Sequence, residues 1–435
     1  MAELKVGDVV RTTADAPQGE VNLAEVKILS KLGEGGQGWV YKVEYQGKPM
    51  ALKWYKDCGN DPQAFYKNVQ RNVKRGAPAP VFLWPKAITE QTNGSFGYVM
   101  ELRPQGFCEL SEFLLAKAKF SNFRVEVESC IQVVNAFRIL HNEGLSYQDL
   151  NDGNFFINPT TGAVLIADND NVAPNKTNMG IVGKPRYMAP EIVLGKNMPD
   201  TQSDRFSLAI ILFTMLCLGH PLEGKKWAAT CQTPKEAERL YGSEPLFVFD
   251  KKDTSNRPIP EQVNVLNRWK YLPDYIQNLF YTSFNEDAFI NPMKRVKELE
   301  WLKAFTRFRS EIVPCACGNE VFIQNASSTV CEECKKMVNI THRIQFLDYA
   351  MAVSKGARVY RCQLGICNAD EALMPIALVV AKGTDPNVLG LKNMTKQIWE
   401  AQTPSGKINR VEPGNVVPFL AGIKIKVFGH TFELK

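Results

Sequence analysis

No hydrophobic run in the 435 residues approaches the length of a bilayer crossing. The longest, Leu208 to Leu218, has 11 residues and is interrupted by Thr214, against the roughly 20 apolar residues a spanning helix needs. It is expected to be a buried helix. The opening stretch, Met1 to Asp8, lacks the charged-then-apolar layout of a secretory leader. A basic tail is missing too: the net charge of +6 comes from 52 basic and 46 acidic residues, with 14 basic against 11 acidic from Glu311 onward. So even a surplus points to neither a nucleic-acid stripe nor a membrane-binding surface. Seven of the eleven cysteines are scattered, which is no disulfide framework. The remaining four form two close pairs near position 320, a metal pattern in a reducing compartment. These absences leave a soluble, cytoplasmic protein as the expectation.

Apolar residues make up 45% of the chain and charged residues 23%, ordinary globular usage that supports a core without disulfide staples. At roughly 150 residues per domain, the length allows about three units. No internal repeat or low-complexity tract occurs. Val21 to Leu32, Gly38 to Gln46 and Lys48 to Tyr55 read as strands separated by glycine turns. Phe113 to Leu140, Ser203 to Leu218, Tyr275 to Tyr281 and Val296 to Phe308 carry helical spacing. Beyond a short cysteine-paired segment, β-like runs return at Ala357 to Leu364, Pro375 to Val380, Lys396 to Gln402, Val416 to Leu420 and Ile423 to Phe432. Their turn-separated spacing suggests an all-β sandwich.

Gly33-Glu34-Gly35-Gly36-Gln37-Gly38 fits G-x-G-x-x-G, with Val40 two residues on. Glycines let backbone N–H groups approach phosphates, and Val40 is placed to cap an adenine ring. The same string serves dinucleotide folds, where it opens a helix; here it lies between two β stretches. Met50-Ala51-Leu52-Lys53 then puts a lysine on an apolar strand. Behind a glycine loop, that lysine reads as the anchor of nucleotide α- and β-phosphates.

At this point the chain resembles the protein kinase family, and further family motifs follow in order. Tyr98-Val99-Met100-Glu101-Leu102 resembles the strand and hinge that bind adenine through backbone groups, with Met100 as gatekeeper. Tyr147 to Asn154 resembles the catalytic loop, which implies Asp149 as acceptor of the substrate proton and Asn154 as a magnesium ligand. Ile166-Ala167-Asp168 supplies the metal-binding aspartate. Gly183 to Glu191 closes the activation segment, Ser203 to Leu208 opens a large central helix, and Arg295 is placed to pair with Glu191. The resemblance implies an α+β, two-lobed kinase fold over residues 1–310, with ATP and Mg2+ as cofactors and protein Ser/Thr hydroxyls as acceptors.

Several positions depart from the family. Tyr147 and Gln148 replace the histidine and arginine before the catalytic aspartate, and that arginine normally reads an activation-loop phosphate. Thr177 is the phosphorylatable residue that the loop offers. Asn169-Asp170 replaces Phe-Gly after the metal aspartate. No Asp or Glu occurs between Asp61 and Glu90, so the helix around Phe65 to Lys74 cannot offer Lys53 the usual glutamate. Asn68 or Asn72 is the expected, weaker partner. Asn151 stands where a lysine is usual and Lys184 where a threonine is usual. Either Lys184 reaches Asp149 or the γ-phosphate, restoring the lost charge, or it is a solvated loop lysine. A nucleotide-binding pseudokinase scaffold is the alternative to a working kinase.

Cys315-x-Cys317 and Cys331-x-x-Cys334, separated by a 13-residue spacer, have the spacing of two turns closing a tetrahedral structural zinc site. Four free thiols in an ordinary hairpin are the alternative. The predicted ribbon spans 311–341. In 342–435, Leu389 to Thr395, Trp399, Pro404-Ser405-Gly406 and Val411 to Gly414 resemble forkhead-associated β-sandwiches, without the arginine and Ser-x-x-His set that reads phosphothreonine. That implies a protein-binding role or a module that only docks on the kinase. The whole ensemble resembles bacterial kinases of the tellurite-resistance-associated phosphorylation triad. The implied partners are a von Willebrand A-type protein and a metal-dependent phosphatase.

Overall fold

The computed structural model describes residues 3–13, 23–59, 61–92, 94–177, 183–231, 233–323, 326–383 and 385–435. The chain packs as two compact units. One comprises Met1–Lys119, Ile139–Lys270 and Phe280–Arg295; the other comprises Phe120–Arg138, Tyr271–Leu279 and Val296–Lys435.

The first unit begins with a six-stranded antiparallel sheet. Its strands are β1 (Val9–Arg11), β2 (Glu25–Glu34), β3 (Gly38–Tyr45), β4 (Lys48–Tyr55), β5 (Ala87–Ile88) and β6 (Gly97–Met100), in the order β1-β2-β3-β4-β6-β5. The predicted N-terminal strands are therefore present, although Val21 lies outside the described residues. Alternation along β3 buries Tyr41 and Val43, while β4 is buried through its last six residues, so its lysine enters the interior. Gly38 is required where these strands meet: a Cβ there would lie 2.3 Å from the Trp54 carbonyl oxygen. Helix α1 (Pro62–Arg75) starts with Asp61 capping the Ala64 N–H at 2.9 Å and Pro62 in its first turn. It buries Phe65, Asn68, Val69, Asn72 and Val73.

The rest of this unit is mainly helical. The apolar run proves to be the buried C-terminal part of helix Thr201–Cys217, closed by Leu218 in a left-handed cap, while Asp200 caps the N-terminus on the N–H groups of Gln202 (2.8 Å) and Ser203 (3.0 Å). Phe213 packs edge-on against Phe247 and Phe280. The expected Arg295–Glu191 pair is bidentate at 2.8 and 2.7 Å, with the guanidinium also donating to the Gln202 carbonyl at 2.9 Å. Such a fully bonded pair is one whose rupture costs several kcal/mol.

In the second unit, helix Glu298–Glu311 leads into two short hairpins, Ile312–Pro314 with Glu320–Phe322 and Ser328–Val330 with Met337–Asn339. Beyond them lie two antiparallel sheets. The first has six strands in the order Ala350–Ala352, Arg343–Gln345, His430–Leu434, Lys424–Val427, Trp399–Gln402, Ile408–Val411. The second has Arg358–Tyr360, Pro375–Lys382, Asp385–Asn393 and Val416–Pro418. Ile344, Trp399, Ile425 and Leu434 of the first share one core with Val359, Ile376, Leu391 and Val417 of the second, which makes a sandwich. Two runs need correction. Ala357 to Leu364 turns helical after Tyr360. Ile423 to Phe432 is a hairpin, broken where Phe428 and Gly429 both take positive φ (51° and 75°), the signature of a two-residue I′ turn. Among the described residues no helix is long and apolar enough to cross a membrane.

Candidate active site

The antiparallel register sets Lys53 on β4 between Val40 on β3 and Tyr98 on β6, and pairs Ala51 with Met100. The Lys53 side chain is 6% exposed, and its ammonium lies 3.1 Å from Asp168 Oδ1 and 3.0 Å from Asp170 Oδ2. A third contact, at 3.3 Å, goes to Gln37 Oε1 from the glycine loop. Burial opposes the charge on Lys53, but the two carboxylates outweigh it and raise its pKa.

The loop is a tight turn closed by a 2.9 Å bond from Gly35 N to Gly38 O. A Cβ on Gly33, Gly35 or Gly36 would meet nothing within 4 Å, so open space faces these backbone positions. Glu34 is already engaged, by Lys56 at 2.7 Å and Lys31 at 2.9 Å. Those cations hold its carboxyl down to about 2. Met100 is buried, Leu102 half-buried, and Glu101 exposed and ion-paired with Lys86.

Asp149 is half-buried in the loop after Ser146. Its Oδ1 accepts from Asn151 Nδ2 at 3.2 Å, and its backbone carbonyl accepts from Asn154 Nδ2 at 2.8 Å. Burial, reinforced by the Asp168 charge, pushes the Asp149 carboxyl up to about 6. Ala167 N donates to Asn154 O at 2.9 Å, which ties this loop to the strand end bearing Asp168. Asp168 itself sits at φ 51°, ψ 43°, a strained left-handed position of the kind found at functional sites. Its side chain remains 37% exposed. One ammonium facing two carboxylates leaves a surplus negative charge, and carboxylate oxygens are donors of the type that suits Mg2+. Lys184 does not touch Asp149: its ammonium donates to Asn151 Oδ1 at 3.2 Å and lies 3.9 Å from Asp152. Asn151 thus stands between the two.

The helix asparagines are placed differently from expectation. Asn68 Nδ2 donates to the carbonyls of Asp170 (2.8 Å) and Val172 (3.0 Å), and Asn72 Nδ2 to those of Val172 (2.9 Å) and Asn169 (3.3 Å). Their amides are consumed by the turn after Asp168, so neither is the partner of Lys53. The residues that sequence reasoning missed are Asp170, Gln37, Tyr55 and Tyr98. Tyr55 and Tyr98 are fully buried and direct their hydroxyls at Asp170, Tyr98 at 3.4 Å. The only signal available in advance was the second aspartate of Asp168-Asn169-Asp170.

The protein kinase domain family matches residues 26–266, more than half of the chain. The chain belongs to the protein kinase family. Its kinase domain is 26% identical over 209 residues to the probable serine/threonine-protein kinase kinX of Dictyostelium discoideum, covering 45% of this chain and 18% of that protein. It is 28% identical over 225 residues to the protein kinase C-like 1 of Caenorhabditis elegans, covering 48% and 30%. Over 206 residues it is 29% identical to the maternal embryonic leucine zipper kinase of Danio rerio, covering 45% and 29%. The chain thus spans less than a third of the length of these relatives.

Outside the kinase domain, the four paired cysteines converge. Cys315 and Cys334 sulfurs lie 3.5 Å apart, those of Cys317 and Cys331 3.7 Å apart, and all four within 4.8 Å of one another. Gly318 (φ 91°) and Lys335 (φ 59°) turn the two chain reversals that present them. Four thiolates around one metal at about 2.3 Å would stand about 3.8 Å apart, so the cluster fits a tetrahedral ion.

Proposed function

We propose that this chain is an ATP- and Mg2+-dependent protein kinase that phosphorylates serine and threonine hydroxyls. The observation that carries the reading is the convergence of Lys53 and Asp168, with Asp149 and Asn154 linked to them through the catalytic loop. Phosphoryl transfer asks mainly for positioning and charge neutralisation, and this set supplies both. Gly33 to Gly38 would cover the phosphates, with Glu34 held to the side by Lys31 and Lys56. Val40, Ala51 and Met100 would line the adenine, and Glu101 and Leu102 would offer hinge backbone groups. Lys53 would anchor the α- and β-phosphates. Mg2+ held by Asp168 and Asn154 would neutralise charge on the phosphates. Asp149 accepts the proton of the attacking hydroxyl; the new O–P bond forms as the bond from the γ-phosphorus to ADP breaks. Lys184, reaching Asn151 rather than Asp149, would steady that base from the activation-segment side.

The test is incubation of purified protein with labelled ATP and Mg2+, beside an Asp149→Ala control. Protein-bound label in the parent and its loss in the variant is the expected result. Equal labelling would favour the second reading, a nucleotide-binding scaffold. The absence of any acid in 62–89 favours that reading, and the double carboxylate on Lys53 opposes it.

The division into a kinase domain (1–310), a ribbon (311–341) and a forkhead-associated-like domain (342–435) belongs to the same proposal. The cysteine geometry supports zinc in a closed, structural site. The six-plus-four sandwich supports the forkhead-like reading, with protein binding as its role. The bacterial stress setting, the cytoplasmic location and a von Willebrand A-type protein with a metal-dependent phosphatase as partners rest on the resemblance to the tellurite-resistance triad.

A further inference from the structure

Kinases of this family hold the strand lysine with a glutamate from the helix after it, and α1 carries no acid from its first residue to its last. Lys53 is nevertheless buried with two carboxylates within 3.1 Å. The two are not equivalent. Asp168 is 37% exposed, whereas Asp170 has 0% exposure. Asp170 Oδ2 receives both Lys53 and the Tyr55 hydroxyl, and Oδ1 receives the Tyr98 hydroxyl. A buried carboxylate with this many donors is fixed in place.

We propose that Asp170 is the positioning residue for Lys53, doing from the loop what a helix glutamate does elsewhere. The inference rests on the kinase reading for the role of Lys53. It accounts for both oddities of the sequence at once: the carboxylate missing from α1 has its counterpart two residues after Asp168, where a glycine is usual. It also explains the asparagines. With the acid in the loop, α1 has no lysine to hold, and Asn68 and Asn72 instead clamp the carbonyls of Asn169, Asp170 and Val172. Trp84 Nε1 steadies this clamp through the Asn72 carbonyl at 2.7 Å. A cation or phosphate that draws Asp168 away leaves Lys53 on Asp170. The lysine partner and the metal aspartate lie on one short stretch of backbone, so α1 cannot shift the one without the other.

A double-mutant cycle on the full chain tests this, since a residue acting through Lys53 loses its effect when Lys53 is gone. The probe is a fluorescent ATP analogue, and the variants are Asp170→Asn, Lys53→Met and their combination. Asp170→Asn should weaken nucleotide binding about tenfold, as expected for losing one buried charge-assisted bond, and should add less than about twofold in the Lys53→Met background. A second readout is independent of nucleotide: acylation of Lys53 by an amine-reactive ester at one fixed pH, followed by mass spectrometry, should be severalfold faster in Asp170→Asn. Equal losses of affinity in both backgrounds would reduce Asp170 to a structural residue and overturn the proposal. So would unchanged affinity with unchanged acylation. If melting shows that Asp170→Asn does not fold, Tyr55→Phe removes a donor to Asp170 without touching Lys53. It should then show the same non-additive weakening on a smaller scale, and no change would overturn the proposal. A parent that binds no nucleotide would strike the kinase reading, and the acylation rates would then decide Asp170 by themselves.

Discussion

The Gln148 side-chain amide donates to the backbone carbonyl of Thr177 at 2.9 Å. A second contact, at 3.2 Å, goes to Ser146 Oγ. The backbone N–H groups of Tyr147 and Gln148 are in turn received by the buried Asp204, at 2.6 and 3.1 Å. In the family an arginine at this position reads a phosphate on the activation segment. A neutral amide bonded to a main-chain carbonyl holds its segment without one. Thr177→Ala should therefore keep kcat within about twofold of the parent, because the bond involves the carbonyl and not the hydroxyl. Gln148→Ala should lower kcat about fivefold, the worth of a hydrogen bond near 1 kcal/mol. Steady-state kinetics of both variants, with and without prior phosphatase treatment, checks this. A loss beyond tenfold in Thr177→Ala would mean that the segment is phosphate-gated after all.

Lys184 and Asn151 form the other bridge to the activation segment, at 3.2 Å, and Asn151 passes the contact to Asp149. The Lys184 side chain is 61% exposed, so its influence is partly screened. Lys184→Ala should reduce kcat about tenfold, well below the effect of removing a fully enclosed donor, and leave nucleotide affinity unchanged. Single-turnover rates measured beside nucleotide binding separate the two quantities. A variant as fast as the parent would make Lys184 a solvated loop residue.

What was legible in the sequence is what lies close together along it. Gly33 to Gly38, Asp149 to Asn154 and Asp168 each belong to a motif of a few contiguous residues, and the structure sets Lys53 beside Asp168. The lysine's second partner was not legible, because Asp170 stands two residues past Asp168 at a position that no motif marks as an acid. Only the β4–β6 register, which sets Lys53 opposite Tyr98, shows why that carboxylate is caged. Nor could composition alone place Asn68 and Asn72. They are right for the helix face, but an amide serves a carbonyl as readily as an ammonium. In the tail, the edge strand Ile408–Val411 was missed because three of its four residues are exposed and the apolar alternation is absent.

The cysteine cluster predicts a metal requirement for stability rather than for chemistry, since four protein ligands leave no open position. Purified protein should carry about one zinc per chain, and chelation should release it and lower the melting temperature. Cys331 is fully buried against Val313, Val321 and Ile340, so Cys331→Ser should lose the metal and melt earlier. Elemental analysis with calorimetry checks both. An unaltered melt after chelation would leave four free thiols in a hairpin.

His220 gives the fold an acid limit. The ring is buried, with Nε2 on the Arg186 carbonyl at 2.8 Å and Nδ1 receiving the Leu222 N–H at 3.2 Å. Both nitrogens are thus satisfied in one neutral tautomer. A proton added to Nδ1 would face an N–H donor. Burial lowers the imidazole from its ordinary 6.5 to about 4, and the nearby Glu223 offsets only part of that. The unfolded chain therefore binds a proton that the folded one refuses. Stability from this group is complete above pH 6.5 and falls as the pH drops towards 4, by about 3 kcal/mol in all. Arg186 and Tyr241, both bonded to Glu223 (2.6 and 2.7 Å), should loosen with it. Urea unfolding of the parent and His220→Gln across that interval isolates the effect, because every other titratable group is common to both. The parent should lose more stability than the variant as the pH falls, and parallel curves would show that His220 is not the group that titrates.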